Sequence, residues 1–267
     1  MSVLTILGIL IVAFLAGVEG VLDEFQFHQP LVACTLIGIV SGCVREGILL
    51  GGSLQMMALG WANVGASVAP DVALASVASS ILMVHGLHST VPSEYVISLS
   101  IAIAIPLSVI GLFLTRICRT KAVSIVKKMD QAALQADFKA IERYQISGIV
   151  MQGARVMIPS VFLVAIPSVW IVSLVQALPL VFLEGLNVAR GLIPSLGFAI
   201  VINVLASKET WAFFALGFSI AGISSLSLIG IFILGASLML IYIVLKKGEE
   251  DTPDKELHKN LKDVLNS

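Results

Sequence analysis

Val21-Leu22-Asp23-Glu24-Phe25-Gln26-Phe27-His28-Gln29-Pro30 sets two adjacent carboxylates, amides and an imidazole between two apolar runs, residues 3–18 and 31–44. In a water-soluble chain this would be an ordinary surface loop. Between runs that long and apolar it is a candidate place for a polar solute to meet a membrane protein. A helical reading makes Glu24 and His28 neighbours at i, i+4 on one face, with Phe25 and Phe27 interleaved as apolar walls. A second stretch, Gly51-Gly52-Ser53-Leu54-Gln55-Met56-Met57-Ala58-Leu59-Gly60-Trp61-Ala62-Asn63-Val64-Gly65, reads as its partner: a glycine-interrupted hairpin.

Composition supports the membrane reading. Of 267 residues, 58% are hydrophobic and only 12% charged, about half the charge of an ordinary soluble domain. Mean hydropathy is +1.02. A span needs about 20 apolar residues, so the chain has room for roughly eight to ten full, broken or re-entrant helices. Net charge is −1, and the basic residues are few and confined to short segments, so no nucleic-acid partner is indicated. Cys34, Cys43 and Cys118 lack metal-ligand spacing, and Cys34 and Cys43 read as small packing residues. The first apolar run has no basic leader and no Ala-x-Ala site behind it, so it reads as retained in the mature protein.

Several apolar segments are too short to cross a bilayer alone: 31–44, 48–58, 193–205 and 211–220. Short segments broken by glycine or proline are what half-helices and re-entrant hairpins look like. Residues 95–115, 156–178 and 226–245 are long enough to span. Residues 116–150 differ: Arg116, Arg119, Lys121, Lys127, Lys128, Lys139 and Arg143 outnumber Asp130, Asp137 and Glu142. Leu134, Phe138 and Ile141 fall on one helical face, which predicts an amphipathic helix at the cytoplasmic interface. The expected organisation is an all-α polytopic membrane protein in two parts, core and scaffold. An N-terminal membrane part covers 1–115, the basic linker helix 116–150, a C-terminal membrane part 151–247 and a polar cytoplasmic tail 248–267.

Gln55 and Asn63 are eight residues apart, so a continuous helix would bring them to one face beside Trp61. Neutral amides offer donors and acceptors together, which suits sugar hydroxyls better than an ion. Polar contacts between helices are the other use for such residues. Asp71, after Pro70, reads as a helix cap or as a site residue. His85 and His88 read as interfacial residues and not as metal ligands. No nucleophile with an adjacent base and no Gly-Lys-Ser/Thr phosphate loop is present, so the chain looks like a path and not a catalyst. No catalytic residue, metal or cofactor is expected.

The stretch from Leu22 to Leu31 with Ala33-Cys34-Thr35, then Gly51 to Met56, Ala58 to Ala66 and Ala69-Pro70-Asp71, resembles the membrane component IIC of the mannose-family sugar phosphotransferase system. The likeness is densest over roughly the first 80 residues, and looser around Gly185-Leu186-Asn187, Asn203 and the closing span. It implies a multi-pass protein of the bacterial cell membrane. It also implies translocation of a hexose, mannose, glucose or a related sugar, with a second membrane chain, IID, and phosphorylation by a cytoplasmic IIA/IIB phosphocarrier. The phosphohistidine is expected on that partner and not in this chain. An elevator-like motion and a trimer of IIC–IID pairs are implied too. In firmicutes such pairs also serve as receptors for some antimicrobial peptides (bacteriocins). Carried onto this sequence, the sugar site comprises Glu24, Gln26, His28, Gln55 and Asn63, supported by Asp23 and Asp71. Gln55 stands where some relatives are expected to carry glutamate. An ion- or proton-coupled secondary sugar transporter, with Asp23, Glu24 and His28 as relay, is the alternative from another class, and a structural scaffold or peptide receptor a third.

Overall fold

The computed structural model describes residues 1–59, 70–207, 210–223 and 226–250. Ten helices make up the described chain: α1 (Val3–Leu22), α2 (Pro30–Ser41), α3 (Val44–Ala58), α4 (Val72–Gly86), α5 (Ser93–Leu134), α6 (Phe138–Ala165), α7 (Ser168–Ala177), α8 (Leu180–Leu205), α9 (Trp211–Ala221) and α10 (Leu228–Glu250). Five are long and apolar enough to cross a membrane: α1, α5, α6, α8 and, over Leu228–Lys246, α10. This is the all-α, multi-span architecture expected, with shorter apolar helices among the spans. Packing divides the chain into one unit from Met1 to Val204 and another from Leu205 onward.

The first unit is built around α4. Thirteen of its fifteen residues are buried, and it packs against α1, α2, α3, α5, α6 and α7. A helix covered on all sides need not span, because its polar backbone is satisfied internally and protein replaces lipid around it. Its hydroxyls follow the same economy. Ser76 Oγ donates to the Val72 carbonyl at 2.7 Å, Ser79 to Ala75 at 2.6 Å and Ser80 to Ser76 at 2.8 Å.

The α2–α3 hairpin turns at Gly42, whose φ of +76° suits glycine. Gly51 and Gly52, the start of the expected 51–65 hairpin, lie inside α3, and residues 60–65 of that stretch lie outside the described residues. Gly47 and Gly51 instead let the two helices touch. A Cβ on Gly47 would lie 2.6 Å from the Cys34 carbonyl oxygen, and one on Gly51 2.8 Å from that of Pro30. Spaced four apart, they form a small-residue contact face. α1 meets α6 in the same way, with Gly17 against the backbone of Gln152 and Gly153.

Other boundaries also differ from the sequence reading. The basic segment 116–150 is not a helix of its own. It is the outer end of α5, a turn at 135–137 with Ala136 at φ +53°, and the first turns of α6. α5 continues past Thr115 because nothing in 116–134 breaks a helix, and charge alone does not end one. Likewise the small, polar run around Gly185 and Asn187 is carried inside α8. His85, expected at an interface, is 3% exposed at the end of α4, while His88 is exposed. In the second unit no residue of α9 is buried. A cavity of about 500 Å³ lies there between α9 and α10, lined by Phe213, Leu216, Leu234 and Tyr242 among others.

Candidate functional site

α1 runs one turn beyond the expected end at residue 18 and stops at Asp23, whose left-handed φ of +56° sends its N–H to the Glu19 carbonyl at 2.9 Å. Aspartate tolerates that conformation better than most residues. Glu19, one residue past the apolar run 3–18, stays inside the core at 5% exposure. Its carboxylate accepts the backbone N–H groups of Glu24 at 3.0 Å and Phe25 at 2.7 Å. A buried carboxylate with two amide donors is a strong anchor, and it fixes the first half of the loop 23–29.

That loop is not helical, so the expected pairing of Glu24 with His28 on one helix face does not form. Glu24 is exposed, and His28 Nε2 lies instead 3.7 Å from Asp23 Oδ1. Phe25 is 69% exposed and half-buried Phe27 tilts against it at 6.0 Å, so only Phe27 qualifies as a wall. Gln26 holds a second left-handed φ, +59°, which costs a long side chain on the order of 1–2 kcal/mol. Its amide offsets that cost by donating to Asp23 Oδ1 at 2.6 Å.

From Gln26 an amide chain runs across the helix ends. Gln29 Nε2 donates to Gln26 Oε1 at 3.1 Å, and Gln55 Nε2 donates to Gln29 Oε1 at 2.9 Å. Gln55 Oε1 in turn accepts the Leu31 N–H at 3.3 Å. Leu31 sits in the first turn of α2, where N–H groups lack helical partners, so α3 caps α2 through this glutamine. The expected pairing of the acidic loop with the Gln55 stretch is therefore made, through Gln29, a residue the sequence reading did not choose. Its position before Pro30, where the next helix begins, was the available signal.

His28 completes the chain. Gln29 Nε2 lies 3.2 Å from His28 Nε2, a donor facing a ring nitrogen, which assigns the acceptor role to Nε2 and the proton to Nδ1. Nδ1 is buried without a partner among the described residues. Burial lowers the His28 pKa, outweighing the opposite pull of Asp23 and Glu19, so the ring is held neutral. The result is a neutral hydrogen-bonding surface of three glutamines and an imidazole, with one donor left over.

Asp71 caps α4, accepting the Leu74 N–H at 3.0 Å through Oδ1, and its other oxygen faces Arg155 of α6 in a buried ion pair. Arg155 was not foreseen. An arginine within the apolar run that ends α6 was the signal for it, since such groups seldom sit idle in a membrane. Asn63 and Trp61 lie outside the described residues. Among the described residues no group of three His, Cys, Asp or Glu side chains is placed to hold a metal ion.

Membrane-length helices with packed short helices between them define a multi-pass membrane protein, and a chain of glutamine amides lies at the helix ends. Residues 3–241 match the family model described as the sorbose-specific IIC component of the sugar phosphotransferase system (PTS). The chain belongs to that family, and with it to the bacterial multi-pass membrane proteins. It is 41% identical over 245 residues to the mannose-specific EIIC component of Escherichia coli strain K12, covering 91% of this chain and 90% of that protein. The solved structure of a membrane protein has a TM-score of 0.85 at 40% identity, covering 94% of this chain and all of that one. A chain of the mannose transporter ManYZ, solved by cryo-electron microscopy with microcin E492, has a TM-score of 0.57 at 41% identity, covering 91% of this chain and 96% of that one.

Proposed function

We propose that this chain is the sugar-translocating IIC subunit of a mannose/glucose-type phosphotransferase system. It moves a hexose across the membrane for phosphorylation by a cytoplasmic IIB subunit, fed by IIA. The observation that carries this reading is the amide chain Gln26–Gln29–Gln55 with the unpartnered Nδ1 of His28 beside it. Each amide is donor and acceptor at once, so a ring of hydroxyls can replace any of its internal bonds without stranding a buried charge. In this reading Gln26, His28, Gln29 and Gln55 meet the sugar, Asp23 and Glu24 flank it, and Asp71 supports the site from α4. A IID membrane chain completes the path. An elevator-like motion of the core and a trimer of IIC–IID pairs fit the family, and peptide binding at the same pair fits the microcin complex of the similar transporter. The phosphoryl-carrying histidine belongs to the cytoplasmic partner.

The test is uptake of labelled mannose by cells whose own mannose system is deleted and which carry this chain with its IID and IIA/IIB partners. Sugar phosphate should be the first intracellular product and should require phosphoenolpyruvate. Gln55→Ala should raise KM by about five- to tenfold, the value of one to two hydrogen bonds. Entry of unmodified sugar that collapses with the proton gradient would replace this reading by the proton-coupled one.

A further inference from the structure

The ion pair between Asp71 and Arg155 is buried, with the two residues 9% and 8% exposed. Such a pair is a poor way to gain stability, because removing two charges from water offsets most of their attraction. Its surroundings suggest another use. Arg155 Nη1 donates to Thr115 Oγ1 of α5 at 2.6 Å, and the Thr115 hydroxyl lies 2.9 Å from Asp71 Oδ2. The Asp71 N–H donates to the Ser108 carbonyl at 3.0 Å, and Gly111 leaves room for the Asp71 Cβ where a side chain would collide. One guanidinium thus ties the start of α4 and the middle of α5 to α6.

The same guanidinium reaches α1. A Cβ built on Gly20 would lie 3.5 Å from Arg155 Nη2, so the head group lies over the α1 backbone at Gly20. Gly20 adjoins Glu19, whose carboxylate holds the N–H groups of Glu24 and Phe25. We propose that Arg155 is a positioning residue for the 23–29 loop: it sets where the last turn of α1 stands relative to α4 and α5, and thereby where the loop's amides stand relative to Gln55. The planar fork matters more than the charge. A lysine has one ammonium and cannot face Asp71, Thr115 and Gly20 together.

This inference rests on the proposed sugar site. It is tested in the full membrane complex with mannose as the probe, measuring uptake KM, turnover and the thermal midpoint of the purified membrane protein. Arg155→Lys keeps the charge and is expected to raise KM about tenfold with turnover within about twofold. The double variant Asp71→Asn with Arg155→Gln removes both charges and leaves no uncompensated ion, so it should melt near the parent while KM stays raised. A double variant with both parental melting and parental KM would show that the pair serves folding alone, and so would KM values that merely follow the melting temperatures. Gln55→Ala separates the two readings. If it raises KM while the Arg155 variants do not, the positioning role fails alone. If it leaves KM unchanged, the sugar reading of the loop falls and this inference falls with it.

Discussion

Residues up to Val204 and residues from Leu205 onward are equally helical but differ in what covers their side chains. α4 in the first unit has thirteen buried residues, whereas α9 has none and the most apolar window of α10 is 0% buried. In water that second condition would be untenable. In hydrocarbon it costs little, since lipid tails wet leucine and phenylalanine as well as protein does. The difference teaches where a membrane protein can place polar chemistry. Glu19, Asp71 and Arg155 persist in the first unit because protein supplies their partners. In the second unit the hydroxyls of Ser219 and Ser237 bond back to their own helices, at 2.9 Å to Ala215 and 2.8 Å to Ile233, with no neighbour required.

The strongest way to break this comparison is to add a side chain to a glycine in each region. Gly47→Val places a branched side chain against the α2 backbone at Cys34 and Gly38, with no flexible group to yield. It should cost about 1–3 kcal/mol or prevent insertion of a folded protein. Gly235→Ala, in α10, meets nothing within 4 Å and should be neutral or stabilising by up to about 1 kcal/mol. Thermal melting of detergent-purified protein, followed by size-exclusion chromatography, reads both. Equal losses at the two sites would mean that α9 and α10 are covered as closely as α2 and α3.

A gentler change sharpens the comparison within the first unit. Gln29 links Gln26 to Gln55 and His28, so Gln29→Ala removes three hydrogen bonds of the chain while leaving the helix packing behind it intact. Sugar KM should rise about five- to tenfold and the melting temperature should move little. A large melting shift with unchanged KM would make the amide chain a clasp between α2 and α3 and nothing more.

Much of this was legible in advance, for identifiable reasons. Helix class follows from the long apolar runs, and the start of α4 from Pro70-Asp71, where the carboxylate does cap the helix. The spans were harder to place, since residues 193–205, read as too short to cross, close the spanning α8, and residues 156–178, read as one span, divide between α6 and α7. The link between the acidic loop and Gln55 was also readable. Its geometry was not, because Asp23 and Gln26 take left-handed conformations that no periodicity announces. The packing role of Gly51 was hidden for a related reason. Glycine marks both turns and close helix contacts, and only the neighbouring carbonyl of Pro30 tells which applies. Glu19 and Arg155 lie just beyond the ends of the apolar runs 3–18 and 156–178 and so were not counted among buried groups, although an ionisable side chain beside such a run is itself the signal.

The smallest expected effect concerns protons. His28 lies outside the spanning helices, and its burial pulls the pKa below the usual 6.5 despite Asp23 and Glu19 nearby. Above pH 6.5 the ring is neutral whether the loop is formed or not, so sugar affinity should be flat there. As pH falls through 6.5 the disordered loop takes up a proton before the folded one does, and the folded loop loses relative stability until its own lower pKa is passed. Affinity should therefore fall on acidification, with a slope no steeper than one proton per molecule. His28→Asn should abolish the slope while Gln29→Ala keeps it. Affinity that rises on acidification would mean that the charged imidazole, paired with Asp23, is the form that meets the sugar. The neutral surface inferred from the Gln29 contact would then be the wrong state of the site.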